Sequence, residues 1–210
     1  MAIKPYLLRP EDIEKESFRI IKTELGQTSF NTAELTVAMR IIHATGDVCL
    51  AEMIRFHPQA IDAGIRAIRT GKDILVDVNM VAAGIDKKRL SHFGGKIICH
   101  ISNPAVSELA RLEGRTRADV AIEMGMHQNI GMVAIGNAPT ALLRIIEIMD
   151  RGANGAMIAG VPVGFVNASE SKDALSVRPY PFITVLGRKG GSTVAAAIVN
   201  ALLRLAEKKT

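Results

Sequence analysis

The sequence predicts one α/β domain, spanning residues 1–210, built on a mainly parallel five-stranded sheet. Five short and almost uninterrupted apolar runs are typical of strands that are covered on both faces. The predicted strands are residues 74–78, 96–101, 131–135, 156–160 and 182–186. Longer segments with helical periodicity separate these runs, and this alternation favours a doubly wound sheet with helices on both sides.

Two helices precede the predicted sheet, so the chain before the first strand is expected to be almost entirely helical. Ile20 and Ile21 contribute to the apolar face of the first helix, and acidic residues lie near its start. Asn31 followed by Glu34 matches a capping box and predicts a second helix that runs to about Thr45. These helices could wrap the sheet, cover a subunit interface, or carry functional side chains over a site.

Three later helices have recognisable ends. Asn103 supplies an N-cap and Pro104 a first-turn proline ahead of a helix that Gly114 ends. The next of these helices is predicted over residues 139–152, and the last is predicted from residue 192 to about residue 206. No linker or internal repeat divides the chain.

Composition narrows the class of partner. Hydrophobic residues make up 48% of the chain and charged residues 22%, which excludes disorder and coiled coil. The formal charge of +5 raises nucleic acid as a partner, but the basic residues form no stripe and the few aromatic residues are scattered. This modest surplus of basic over acidic residues fits an anionic small molecule better than a polyphosphate scaffold as the partner.

The sequence offers no sign of a membrane span, a signal peptide or a structural metal site, so a soluble cytoplasmic protein is expected. Cys49 and Cys99 lie in apolar runs without a second cysteine nearby, and we expect buried, reduced thiols. The five histidines have no spacing typical of metal ligands.

Loops that follow the predicted strands are rich in Gly, Asn, Ser and Thr. Because ligands of open α/β sheets bind beyond the carboxyl ends of the strands, these loops indicate a surface for carboxylates or phosphates. Ordinary turn chemistry is the alternative for each loop taken singly. The last loop, residues 187–192, lacks the spacing of a nucleotide phosphate loop, but Arg188 and Lys189 are well placed there for an anion.

His43 is the candidate proton donor. It falls near the end of a predicted helix, where a protonated imidazole interacts favourably with the helix dipole, and Arg40 precedes it by one turn. Arg40 would oppose the charge of a protonated His43 unless Arg40 binds an anionic ligand. No serine-nucleophile motif occurs. The residues therefore predict a pocket for a polyanion with one proton-donating histidine, although a purely structural role for His43 is the alternative.

Six segments in this order resemble the precorrin-8X methylmutase family, including its cobalt-precorrin-8 members. The segments are residues 13–18, 40–45, 77–85, 134–142, 162–172 and 187–192. The resemblance implies a flavodoxin-like three-layer fold, a homodimer and an isomerase of cobalamin biosynthesis. The family moves a methyl group from C-11 to C-12 of precorrin-8 or cobalt-precorrin-8, a formal 1,5-sigmatropic shift that gives hydrogenobyrinate or cobyrinate. His43 falls on the family's active-site histidine and Ser17 on its substrate-binding serine.

The implied substrate is a polycarboxylate corrin precursor, so basic residues near the strand ends are candidates for binding its carboxylates. The candidates are Arg40, Arg115, Arg117, Arg188 and Lys189. For Arg115 and Arg117, solvated charge at a helix start is an equal alternative. No cofactor is expected, and cobalt would enter only as part of the substrate. Asn167 stands where relatives often have Gly. The alternative functions are a non-catalytic tetrapyrrole carrier and a phosphate-binding module that uses the loop at residues 187–192.

Overall fold

The computed structural model describes residues 9–153 and 155–208. Its strands are β1 (Ile54–Phe56), β2 (Asp73–Val76), β3 (Ile97–Ile98), β4 (Ile130–Ile135), β5 (Met157–Gly160) and β6 (Phe182–Val185). Its α-helices are α1 (Pro10–Leu25), α2 (Thr32–Thr45), α3 (Ala60–Arg69), α4 (Asn79–Gly84), α5 (Lys87–His92), α6 (Pro104–Glu113), α7 (Arg117–Gly125), α8 (Pro139–Asp150), α9 (Ala168–Ser176) and α10 (Ser192–Glu207). A 3₁₀ helix spans Val48–Met53.

The strands form one sheet in the order β1-β6-β5-β4-β2-β3. Strands β2 to β6 are all parallel, with Leu75 paired to Val133 and Val133 to Ile158. Counted from β2, the parallel order is 2-1-3-4-5, which is the flavodoxin-like arrangement. The predicted α/β class, its parallel sheet and its flavodoxin-like topology are therefore confirmed.

The predicted number of strands is wrong, because residues 9–153 and 155–208 form a six-stranded sheet. Strand β1 lies at one edge and runs antiparallel to β6, with Ile54 opposite Val185. It lies within the part of the chain that was expected to be almost entirely helical. Its three residues are too few to show a period, and the exposed Arg55 interrupts the apolar signal. The opposite edge strand, β3, spans two residues where six were predicted.

The predicted helix signals correspond to real caps. Asn31 Oδ1 accepts hydrogen bonds from the backbone N–H of Ala33 and Glu34, at 2.9 and 3.0 Å, and Glu34 Oε2 accepts from the Asn31 N–H at 2.9 Å. Asn103 caps α6 through the Ala105 N–H. Gly114 ends α6 with a φ of 64°, a conformation that costs glycine little. Helix α8 ends at Asp150, two residues before its predicted end.

Alternate residues of each central strand face opposite helical layers. Ile74 and Met132 belong to the apolar cluster that includes residues of α2, α3, α4 and α10, whereas Leu75 and Val133 belong to the cluster that includes residues of α7 and α8. Burial on both faces is the reason these strands are almost continuously apolar. Within the described residues, no helix is long and apolar enough to cross a membrane.

Candidate functional site

His43 lies in the last turn of α2 with its imidazole exposed. The Phe18 ring of α1 stacks on it, with the ring centroids 5.3 Å apart and the planes inclined by 26°. The Arg40 guanidinium lies 4.5 Å from the centroid of the same Phe18 ring. Helix α1 therefore brings an aromatic side chain into contact with the candidate proton donor.

Arg40 was expected to bind an anionic ligand, but in the structure it binds a carboxylate of the chain. Arg40 Nη1 donates to Glu14 Oε1 at 2.5 Å, and the Arg204 guanidinium lies 3.7 Å from the same oxygen. The hydrogen bond from Arg40 lowers the pKa of the Glu14 carboxyl. Glu14 therefore stays ionised near neutral pH and offsets the charge of the two arginines beside the imidazole.

A cavity of about 350 Å³ opens beside His43, between the end of α2 and one face of α10. Thr193, Ala196, Asn200 and Arg204 of α10 line one wall at helical spacing. A neighbouring depression of about 440 Å³ continues the surface. Arg40, Arg89 and Arg204 line both.

Arg89 and Arg204 were missed as site residues. Arg204 had a signal, because it lies four residues after Asn200 and on the same helical face as Ala196 and Ala197. Arg89 had none, since α5 is brought to α10 by tertiary contacts such as that of Asn200 Oδ1 with the Asp86 N–H at 2.8 Å. The side chain of Arg204 is 45% exposed, which leaves it accessible to a ligand.

Ser17 lies in α1, one residue before Phe18, and is half-buried. Its hydroxyl donates to the Ile13 carbonyl at 2.9 Å, within the helix. The oxygen keeps lone pairs that can accept a hydrogen bond. Ser17 therefore precedes, in the same helix, the residue whose ring stacks on His43.

The loop at residues 187–191 lies close to the end of α2. Lys189 Nζ donates to the Asp47 carboxylate, four residues after His43, and this hydrogen bond lowers the pKa of the Asp47 carboxyl. The exposed Arg188 guanidinium lies 5.3 Å from the centroid of the Phe165 ring. Because Thr193 follows this loop and lines the cavity, the strand-end loop and His43 belong to one surface.

Arg115 and Arg117 lie in the helical layer on the other side of the sheet from α2 and α10. Arg115 donates to the carboxylates of Asp119, Glu113 and Glu123, so its charge is already balanced within the chain. Arg117 is the first residue of α7 and is exposed. Neither lines the cavity at His43. Substrate contact by these two arginines stays a prediction, without a position near His43 to support it.

The chain reverses its direction of winding between the neighbouring strands β2 and β4, where ligands of such sheets usually bind. Here a carboxylate of the chain itself occupies the backbone N–H groups. The buried Asp77 carboxylate accepts hydrogen bonds from the N–H groups of Gly136, Asn137 and Ala138, at 3.1, 2.7 and 2.8 Å. Burial raises the pKa of the Asp77 carboxyl, and the three donors act against that rise. These N–H groups, which the loop composition had offered to a ligand, are thus already bonded.

Both cysteines are free, as expected, but neither is fully buried. Cys99 is half-buried, and desolvation raises the pKa of its thiol, whereas Cys49 is exposed in the 3₁₀ helix. Cys49 is exposed because this two-turn 3₁₀ helix buries Leu50 and turns Cys49 toward the surface. Among the described residues, no three or more His, Cys, Asp or Glu side chains are grouped as a metal site would need.

Fold and site together define a flavodoxin-like α/β protein with a histidine at the rim of an arginine-lined surface. The family model for precorrin-8X methylmutase matches residues 12–205. The chain belongs to this family of isomerases of cobalamin biosynthesis, as the six segments had indicated.

Relatives and solved structures agree with that assignment. A cobalt-precorrin-8 methylmutase of Priestia megaterium is 44% identical over 206 residues, which cover 97% of this chain and 92% of the relative. A precorrin-8X methylmutase of a Sinorhizobium species is 40% identical over 203 residues, covering 95% and 96%. The crystal structure of precorrin-8X methylmutase from Thermus thermophilus superposes with a TM-score of 0.84 at 42% identity, covering 93% of this chain and 96% of that one.

Proposed function

We propose that this protein moves the methyl group from C-11 to C-12 of precorrin-8 or cobalt-precorrin-8, giving hydrogenobyrinate or cobyrinate. The observation that carries the proposal is the exposed His43 imidazole, held by Phe18 beside Arg40 at an arginine-lined cavity. Relatives with both substrate names match nearly the whole chain, so the proposal covers metal-free and cobalt-containing substrates alike.

A methyl shift within one molecule needs no second reactant. The protein's task is to hold the macrocycle in one geometry and to polarise it with a proton donor. His43 donates a proton or a hydrogen bond to the ring, and Phe18 limits the rotation of the imidazole by stacking on it. Ser17, one residue before Phe18 on α1, helps to position the substrate macrocycle. No redox cofactor takes part, and any cobalt arrives inside the substrate.

Substrate carboxylates bind to the cations around the cavity. Arg204 is the best placed, because it lines the cavity, its side chain is 45% exposed, and its ion pair with Glu14 is long, at 3.7 Å. Arg188 is exposed on the strand-end loop that leads to Thr193. Arg40 and Lys189 keep their own partners, Glu14 and Asp47, and contribute through the local field. Several weak contacts of this kind suit a ligand with carboxylates around its rim.

We further infer a homodimer located in the cytoplasm. Ile13 and Ile20 on α1 are 52% and 43% exposed, and they offer apolar surface to a second copy. The two free cysteines agree with a reducing compartment.

His43→Ala tests the assignment, with His92→Ala as the control. Both histidines are exposed and lie in the last turn of a helix. We expect kcat to fall about 100-fold or more in His43→Ala, with the Kd for the tetrapyrrole changed only a few-fold, because general-acid assistance is worth roughly 10²–10⁴ in rate. The control should keep the wild-type rate, and normal turnover by His43→Ala would remove His43 from the mechanism.

Multiple turnover distinguishes the enzyme from a carrier. Metal-free and cobalt-containing precorrin-8 are each supplied in excess, and product is followed by its visible spectrum. An enzyme converts many equivalents per protein, whereas a carrier that only binds the ring yields none. Rates with the two substrates then show which one the protein uses.

A further inference from the structure

Lys172 is a fully buried lysine that the mechanism above does not use. It lies in α9 with 0% of its surface exposed. Its Nζ donates to the backbone carbonyl of Lys189 at 2.6 Å. Within residues 9–153 and 155–208, no carboxylate forms an ion pair with it. Burial lowers the pKa of the Lys172 ammonium to about 8. Burying the Lys172 ammonium without a partner would cost free energy, and its hydrogen bond to the Lys189 carbonyl offsets part of that cost.

The segment that receives this bond, residues 187–191, has little stiffness of its own. Gly187, Gly190 and Gly191 have φ values of 77°, 153° and 119°. Glycine at three of five positions gives the backbone wide freedom. Two backbone hydrogen bonds tie the segment to the loop after β5, from Gly164 N–H to the Arg188 carbonyl at 3.2 Å and from Gly191 N–H to the Val161 carbonyl at 2.8 Å. The bond from Lys172 adds a tether from the protein interior.

Lys189 passes this constraint on toward His43. Its carbonyl is fixed from inside by Lys172, and its ammonium binds the Asp47 carboxylate at the end of α2. The neighbouring residue, Arg188, projects from the same segment over the Phe165 ring. The bonds therefore run from the interior of α9 to the turn that follows His43.

We propose that Lys172 is a positioning residue that fixes residues 187–191, so that Arg188 and Lys189 hold a set place relative to His43. The effect on catalysis rests on the proposed function, because it requires these cations to bind the substrate's carboxylates. Lys172 itself touches no substrate.

Lys172→Met tests the proposal, because it removes the ammonium and keeps a long, unbranched side chain. Leu175→Val is the matched control, since Leu175 is also fully buried in α9 but packs in the apolar core. The first measurement is tryptic cleavage of the native protein after Arg188 and Lys189, followed by mass spectrometry. The second is the KM and kcat of methyl transfer.

We expect Lys172→Met to be cleaved at these two positions about tenfold faster than wild type, with KM raised about tenfold and kcat within about twofold. Tenfold corresponds to about 1.4 kcal/mol, which fits the loss of one hydrogen bond to a charged group. Leu175→Val should lower the Tm without either change. If Lys172→Met does not fold, Lys172→Gln replaces it in both measurements, with Leu175→Val as the control. Lys172→Gln removes the charge and keeps an N–H donor on a shorter side chain.

Cleavage no faster than in Leu175→Val overturns the proposal, whatever the activity. Faster cleavage with an unchanged KM also overturns it, because the loop would then be held without any consequence for the substrate. Neither result bears on His43. If the wild-type protein itself shows no turnover, the proposed function fails, while the cleavage measurement still decides whether Lys172 holds the loop.

Discussion

Replacing Asp77 should destabilise the protein although this residue lies in no cavity described above. Its carboxylate is buried and accepts three backbone hydrogen bonds from the segment that leads into α8. In Asp77→Asn, one oxygen can still accept the N–H groups of Asn137 and Ala138, but the amide nitrogen faces the N–H of Gly136. In Asp77→Ala, all three N–H groups lose their acceptor.

The expected magnitudes follow from these bonds. A buried donor left without an acceptor costs about 1–3 kcal/mol, and removing a buried charge offsets part of the loss. We therefore expect the free energy of unfolding to fall by about 2 kcal/mol in Asp77→Asn and about 4 kcal/mol in Asp77→Ala. For a chain of this size, about 2–4 °C of Tm per kcal/mol gives decreases of roughly 4–8 °C and 8–16 °C.

Urea and thermal unfolding at pH 7 measure both variants. Asp62→Asn is the control, because Asp62 is an exposed residue of α3 and its replacement should change stability by less than about 0.5 kcal/mol. A variant Asp77→Asn as stable as wild type would refute the reasoning. It would show that relief from the desolvation of the carboxylate offsets the loss of the hydrogen bond from Gly136.

Three further predictions concern the surroundings of His43 and the arginines. Glu14→Gln should flatten the fall of Tm as the pH drops below about 4.5, because the pKa of the Glu14 carboxyl is lowered in the folded state. The stabilisation is full above the unfolded pKa of about 4.5 and is lost as the pH falls through the folded pKa. Phe18→Leu should lower kcat/KM about 5- to 10-fold in steady-state assays while the fold is kept, since the ring contacts are worth about 1 kcal/mol; an unchanged kcat/KM would show that the ring does not position His43. Arg115→Met should lower the free energy of unfolding in urea by about 1 kcal/mol, whereas Arg117→Met should change it by less than about 0.5 kcal/mol; a large rise in KM for Arg117→Met would instead assign it to the substrate.

The interior of the fold was predictable because burial on both faces leaves a clear mark in the sequence. Strands β2, β4, β5 and β6 fall within or beside the expected apolar runs, and the capping box of α2 is formed as its residues indicated. The edges of the sheet were not predictable in the same way. An edge strand has one partner and a partly exposed face. The three-residue β1 gave no signal, whereas β3 lies within its predicted apolar run but spans only two of the six residues.

For the candidate site, the sequence indicated individual residues but not the contacts between them. His43 and Arg40 stood out through their place on α2, but the stacking of Phe18 depends on how α1 packs across α2, which no local pattern encodes. Five strand-end loops looked alike in composition. The structure distinguishes them, since the loop after β4 is bonded to Asp77 while the loop after β6 reaches Asp47.

Chain direction at the edge of the sheet explains why His43 can share a surface with the strand-end loops. Strand β1 enters the sheet with Ile54 opposite Val185, the last residue of β6, and Met53 accepts a hydrogen bond from the Leu186 N–H. Whatever precedes β1 is therefore delivered to the carboxyl end of β6. Had the same three residues paired in the parallel sense, the end of α2 would be delivered to the opposite rim, a strand's length from Arg188 and Lys189.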